Sequence, residues 1–226
     1  MMRLCVKTTI NATHSLFLAG GLFLAASNSA LALKLQIVKL PDGMRAVLAS
    51  GSIVPGDAKR FAAALDSADK DHWGNKNVAL NSEGGLVSEA FKIVEIMDKQ
   101  EVSTIVPPGG SCASACAQIV FLAGKHHVVL EGGRLGIHSC SRAGISDQLC
   151  NKAIAQQALE HGVEYGSVMA FEQYAAPSDM VWLNGDEADC WGLSRWPPDT
   201  GKDRAPGEAA PCVVKAVKAF SNSSGQ

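Results

Sequence analysis

Beyond Ala32 the chain has no run of about 18 consecutive apolar residues, which excludes a membrane-spanning helix in that part of the sequence. It has no basic run, and its formal net charge is only −2. Neither an electrostatic grip on nucleic acid nor one on an anionic membrane surface is therefore expected. No internal repeat is present, which excludes solenoid and propeller architectures. Cysteine and histidine do not occur at a standard zinc spacing. A set drawn from Cys112, Cys116, His126, His127 and Cys140 follows no known motif, and oxidised cysteines bind zinc poorly. No metal and no cofactor is expected.

What the chain does have begins with a leader. Arg3 and Lys7 precede an apolar stretch from Leu16 to Ala26, and Asn28-Ser29-Ala30-Leu31-Ala32 supplies a small-x-small cleavage site after Ala32 or Ala30. Residues 1–32 thus read as a secretory signal peptide, too short in its apolar part for a comfortable span. Cys5 lies inside the removed part and ahead of the apolar run, so a lipid-anchored cysteine is not supported. The expected location is periplasmic or secreted, with no membrane attachment after cleavage.

Of the seven cysteines, six then remain, at 112, 116, 140, 150, 190 and 212. An even number in an oxidising compartment points to disulfides, although the count leaves the connectivity open. Cys140–Cys150 would close a short loop and Cys190–Cys212 would tie the tail to the body. Cys112 and Cys116 are left over. If both are helical, their side chains sit one turn apart, too far for good disulfide geometry unless Cys112 precedes the helix. A cysteine nucleophile at either position is disfavoured, because a paired cysteine offers no thiolate.

Strands are expected over 35–40 and 45–50 around the turn Pro41-Asp42-Gly43, the second continuing past Gly51 through 52–54. A helix follows over 57–66 with Asp57 as its cap, then a short buried strand at 77–81 and an amphipathic helix over 86–98. A strand at 102–106 and a small-residue helix at 113–123 repeat the order. Strands at 127–130 and 134–138, helical structure over 147–174 broken near Gly162, a strand at 180–183 and a helical turn at 186–190 complete the body. From Pro197 to Pro211 the composition turns to proline, glycine and charge, ahead of a short helix over 212–220. Alternating strand and helix predicts an α/β fold with a parallel sheet and right-handed crossovers. The remainder after the leader suits one domain, 33–196, with a tail over 197–226.

The centre of the chain is Gly109-Gly110-Ser111-Cys112-Ala113-Ser114-Ala115-Cys116, between the strand at 102–106 and a helix that Gly124 can end. A serine at the start of that helix faces free backbone N–H groups, where a developing oxyanion is stabilised. Ser114 is the candidate nucleophile, weighed against simple close packing of small residues. Gly84-Gly85 makes a second glycine turn after a strand and before a helix, and could bring another N–H donor to the same sheet edge. His138 ends a strand pattern from which its ring could act as general base.

Asn81-Ser82-Glu83-Gly84-Gly85, then Glu101-Val102-Ser103-Thr104-Ile105, then Ala113-Ser114-Ala115 in a helix ending Leu122-Ala123-Gly124, then Gly136-Ile137-His138, resemble the Clp protease proteolytic subunit in the same order. The resemblance covers about residues 47–193. It implies the ClpP/crotonase-like spiral of ββα units, with Ser114 as nucleophile, His138 as general base, and the N–H groups of Gly85 and Ala115 as oxyanion hole. The family's acid falls near Met180-Val181-Trp182-Leu183, where Asp179 fits with a one-residue offset; Asp186 and Asp189 are alternatives. A homo-oligomer is also implied. Glu83 departs from the family by standing where proline is usual, and Cys140 and Cys150 fall in the segment with which such subunits stack.

The resulting expectation is an exported serine peptidase-like hydrolase. It would need no ATP-driven unfoldase, and so would act on peptides or unfolded protein segments. The rival expectation is a non-catalytic binding or scaffold protein that keeps the fold. Crotonase-like acyl-CoA chemistry is disfavoured by export, and no lysine sits in a motif that would make a serine–lysine dyad.

Overall fold

A computed structural model describes residues 32–204 and 208–223. The leader lies outside the described residues except for Ala32, which bridges to Ser52. The architecture is mixed α/β around a mostly parallel eight-stranded sheet.

Strands β1 (Lys34–Lys39) and β2 (Arg45–Ile53) form an antiparallel hairpin. Its turn is closed by Gly43 N–H to the Leu40 carbonyl and by Met44 N–H to the Asp42 carboxylate. The glycine at position 51 shifts the pairing of β2 between Ser50 and Ser52, so β2 continues through Ile53. Helix α1 (Asp57–Leu65) follows. Asp57 does not cap it as expected: Gly56 holds that position, and the buried Asp57 carboxylate instead accepts from Val54 N–H at 2.7 Å and pairs with Arg60. The free N–H groups of Gly56 and Ala58 are taken by Glu89 of the next helix, at 2.9 and 3.0 Å. These bonds hold the Glu89 carboxyl below its ordinary pKa.

β3 (Lys76–Gly85) is twice the expected length and runs through Ser82-Glu83-Gly84-Gly85. α2 (Val87–Gln100) and β4 (Val102–Val106) follow. Pro107 and Pro108 then end β4, because proline brings no N–H to a ladder. The chain turns at Gly109-Gly110 and re-enters as β5 (Ser111–Ala113), a strand where helix was expected to begin at Ala113. The sheet therefore forks at β3. Its first residues pair with β4, Lys76 opposite Val102 through Ala79 opposite Ile105, while Ser82 pairs with Cys112 of β5.

One branch continues from β4 to β6 (His127–Val129), and the other from β5 to β7 (Arg134–Ile137) and antiparallel β10 (Val181–Leu183). Between β5 and β6 lies a π-helical segment, Cys116–Phe121, shorter and wider than the regular helix expected over 113–123. A small hairpin, β8 (Ser141–Arg142) and β9 (Ile145–Ser146), leads into α3 (Gln148–Glu160) and α4 (Tyr165–Tyr174). α5 (Gly185–Cys190) carries a reciprocal cap, Asn184 accepting from Glu187 N–H and Glu187 from Asn184 N–H. α6 (Pro211–Ser223) closes the described chain.

The core lies between the sheet and its helices. Phe61, Leu65, Ile93, Met97, Ile119 and Phe121 are fully buried, each such side chain contributing about 2 kcal/mol on leaving water. Three disulfides brace it: Cys140–Cys150 and Cys190–Cys212 as expected, and Cys112–Cys116 between the two cysteines left over. The third is sterically open because Cys112 belongs to a strand and not to the helix. Among the described residues no helix is long and apolar enough to cross a membrane.

Candidate functional site

Ser114 sits between β5 and the π-helical segment with φ +54°, one of three non-glycine residues in the left-handed region among the described residues. Such a conformation costs about 1–3 kcal/mol and persists only where the surroundings over-determine it. Here they do. Ser114 N–H donates to the Gly136 carbonyl of β7 at 2.8 Å, the Ser114 carbonyl accepts from Gln118 N–H at 2.9 Å, and the Cys112–Cys116 disulfide spans the turn with 5.3 Å between its Cα atoms. π-Helical turns, though rare, recur at functional sites.

Gly84 presses on this turn from β3. A Cβ there would lie 2.5 Å from the Ala113 carbonyl, 2.9 Å from Ala115 N and 2.9 Å from the Ser114 Cβ, and its φ of +91° also favours glycine. Ser82 Oγ accepts from Gly84 N–H at 3.1 Å and fixes the bend. Gly85 faces the other way: a Cβ there would lie 2.3 Å from the Ile53 carbonyl on β2. Of the expected oxyanion pair, then, Ala115 belongs to the Ser114 turn, and the residue packed against that turn is Gly84, next to Gly85. Ala115 precedes the π-helical segment, where backbone N–H groups have no intrahelical partner.

His138 follows the last residue of β7. The register sets Ala113 opposite Gly136, so Ser114 and His138 leave neighbouring parallel strands at the same end. The His138 ring is half-buried, and its buried Nδ1 has no hydrogen-bond partner. The chain beyond it is anchored firmly. Asn151, fully buried on α3, accepts from Cys140 N–H at 2.7 Å and donates to Ser139 Oγ at 2.9 Å, while Ser139 N–H donates to the Ala175 carbonyl. The Cys140–Cys150 disulfide closes the same loop.

Asp179 is exposed, its N–H bonded to the Ala176 carbonyl and its carboxylate 3.5 Å from Ser178 Oγ. No hydrogen bond joins it to His138 Nδ1. Of the weaker alternatives, Asp189 accepts from Trp196 Nε1 at 3.0 Å, and Asp186 lines a separate cleft described below.

Two polar residues missed in the sequence lie behind the site. Gln118 is buried in the π-helical segment and donates through Nε2 to the His138 carbonyl at 3.0 Å and to Glu172 Oε1 at 2.7 Å. Glu172, on α4, is 1% exposed, and burial pushes its carboxyl pKa up to about 8 against the opposing Gln118 bond. Burial thus favours its neutral form, and Oε2 has no hydrogen-bond partner. The available signal for Gln118 was a lone polar residue inside an apolar run, Ala117-Gln118-Ile119; Glu172, followed by Gln173, carried none.

A cleft of about 970 Å³ among the described residues lies elsewhere. It is lined by Trp73, His126, Asp186, Arg195, Trp196 and Arg204 among others, and neither Ser114 nor His138 reaches it. The left-handed serine and the unpartnered histidine nitrogen carry more chemical information than its volume, and its lining mixes acidic and basic side chains. The cysteines once considered as zinc ligands are all in disulfides, and among the described residues no group of three histidine, cysteine or acidic side chains is placed to hold a metal. Compared with known proteins, the chain matches no family model and no curated protein.

Proposed function

We propose that this protein is an exported serine peptidase-like hydrolase that acts on peptides or unfolded segments without ATP, on a spiral of ββα units like that of the Clp protease proteolytic subunit and the crotonases. The observation that carries this reading is the left-handed Ser114, held at a strand-to-helix turn beside the end of the strand that delivers His138. In this mechanism His138 takes the Ser114 Oγ proton as Oγ bonds to the substrate carbonyl carbon. The oxyanion is held by the Ala115 N–H and a donor from the Gly84-Gly85 bend. His138 returns the proton to the leaving amine, and water then releases the acid. Three disulfides and the leader sequence support a periplasmic or secreted location.

The test is intact-mass analysis after exposure to a fluorophosphonate. The expected result is one adduct on the native protein and none on Ser114→Ala or His138→Ala. Equal labelling of Ser114→Ala would sink the mechanism. A second reading, a binding or scaffold protein that keeps the fold, is favoured by the exposed Asp179 and the unpartnered His138 Nδ1. A well-folded protein that never acquires an adduct would support it.

A further inference from the structure

We propose that the Cys112–Cys116 disulfide is the positioning device that holds Ser114 in its attacking conformation, so that the site is assembled only when this bond is closed. The inference rests on the reading of Ser114 as nucleophile and adds the condition under which it works.

Ser114 is the middle residue of the span the bond closes, and its φ of +54° lies in a region that serine avoids. Two backbone hydrogen bonds also act on it, one to Gly136 of β7 and one from Gln118 within the π-helical segment. The disulfide adds a covalent link between the two arms of the turn, from Cys112 within β5 to the first residue of the π-helical segment. Cys112 and Cys116 are 0% and 1% exposed, packed in the core with Ile119 and Leu135. Gly84 leaves no room for the turn to relax toward β3.

Of the three disulfides this one closes the shortest span, four residues against ten and 22. Closing a short loop restrains the unfolded chain least, so its effect on overall stability is the smallest of the three and its effect on local geometry the most direct.

Opening the bond takes two electrons and two protons, as from a dithiol that becomes a cyclic disulfide, and leaves two thiols. Sulfurs in bonded contact then move to non-bonded contact, roughly 1.5 Å further apart. The turn that carries Ser114 is the only link between them, and displacements near 1 Å at a reacting group can cost about 100-fold in rate. An oxidising compartment would assemble the site, and a reducing one would leave it slack. The same protein in the cytosol, before export, would carry an idle serine.

The experiment compares fluorophosphonate labelling rates of the native protein, Cys112→Ala/Cys116→Ala, and the remote Cys190→Ala/Cys212→Ala, with hydrogen exchange read over residues 114–121. The expected result is labelling slowed about 100-fold in Cys112→Ala/Cys116→Ala and changed by less than about threefold in Cys190→Ala/Cys212→Ala, with faster exchange over 114–121 in the first variant alone. Labelling of Cys112→Ala/Cys116→Ala at the native rate overturns the proposal and leaves the nucleophile reading intact. If the native protein does not label, the nucleophile reading fails, and exchange decides the clamp: unchanged exchange over 114–121 overturns it. Should Cys112→Ala/Cys116→Ala fail to fold, native protein is reduced stepwise with dithiothreitol and alkylated. Labelling and native exchange lost in step with alkylation of Cys112 and Cys116 support the clamp, and either persisting after it overturns it.

Discussion

The two branches of the sheet bury polar side chains on opposite terms. On the β4–β6 branch, His127 is wholly enclosed, yet its Nδ1 meets the Gly124 carbonyl at 2.9 Å and its ring stands edge-on to Phe121. Thr104 beside it gives its hydroxyl to the Phe121 carbonyl at 2.7 Å. On the β5–β7 branch, His138 Nδ1 and Glu172 Oε2 have no partner. The other such atoms in the described residues are Gln157 Oε1 and Ser167 Oγ, on α3 and α4, and Ser194 Oγ. A buried polar atom without a partner costs about 1–3 kcal/mol, so a fold keeps such atoms where something other than stability is served. The β5–β7 branch also holds the left-handed serine. The first branch pairs these buried polar atoms, and the second leaves two of its own unpaired.

The sharpest test of that contrast is a pair of glycines, one per branch. Gly84→Ala is expected to destroy labelling and to lower stability by about 3 kcal/mol, since its Cβ would strike backbone at 2.5 Å from a left-handed φ. Gly124→Ala, whose Cβ would come within 2.5 Å of Thr104 Oγ1, should lower stability yet leave the labelling rate of the folded protein unchanged. Equal loss of labelling in both, measured beside urea denaturation, would erase the distinction between the branches.

Next in size is the pH response of the two buried titratable groups. Glu172 has a folded pKa of about 8, above its ordinary value of 4.5. The unfolded chain releases that proton first, so stability should fall by a few kcal/mol as pH rises from about 4.5 to 8. Glu172→Gln is expected to abolish this alkaline limb. His127 has the opposite sign: burial lowers its pKa from 6.5 to about 3, so stability should fall as pH drops from about 6.5 to 3, the unfolded chain taking up the proton that the folded one refuses. Midpoints of urea unfolding between pH 4 and 9 would check both limbs. An alkaline limb unchanged in Glu172→Gln would show that the carboxyl is not buried in its neutral form.

Removal of the Cys190–Cys212 disulfide, which has a sequence separation of 22 and does not span the Ser114 turn, is expected to cost about 3 kcal/mol without altering labelling. Smallest is Arg134→Ala. Its guanidinium lies 4.1 Å over the half-exposed Trp182 ring at the rim of the site, and its loss should cost about 0.5–1 kcal/mol by thermal melting.

Much of the frame was legible because it rests on local chemistry. Apolar periodicity announced α2, the glycine at 162 announced the break between α3 and α4, and Pro41-Asp42-Gly43 announced the first hairpin. The candidate site was legible in part: glycines before helices and a histidine at a strand end drew attention to Gly84, Ser114 and His138. The misreadings share one cause. Ala113 and Cys112 carry no residue preference strong enough to oppose a helix, and they became strand because β3 and β7 offered ladder partners on both sides. Asp57 looked like a cap because only Glu89, 32 positions later in the chain, could show that the role was filled.

The sequence by itself determined where the chain turns, which faces are apolar, and that six cysteines would seek partners outside the leader, since glycine, proline and hydrophobic spacing act over a few residues. Only the tertiary structure decided that the sheet forks at β3, that Cys112 and Cys116 bond across Ser114, and that Gln118 and Glu172 stand behind His138. Each of these depends on groups distant in the chain meeting in a dry interior, where hydrogen bonds left unmade become costly and a serine can be held in a conformation it would abandon in water.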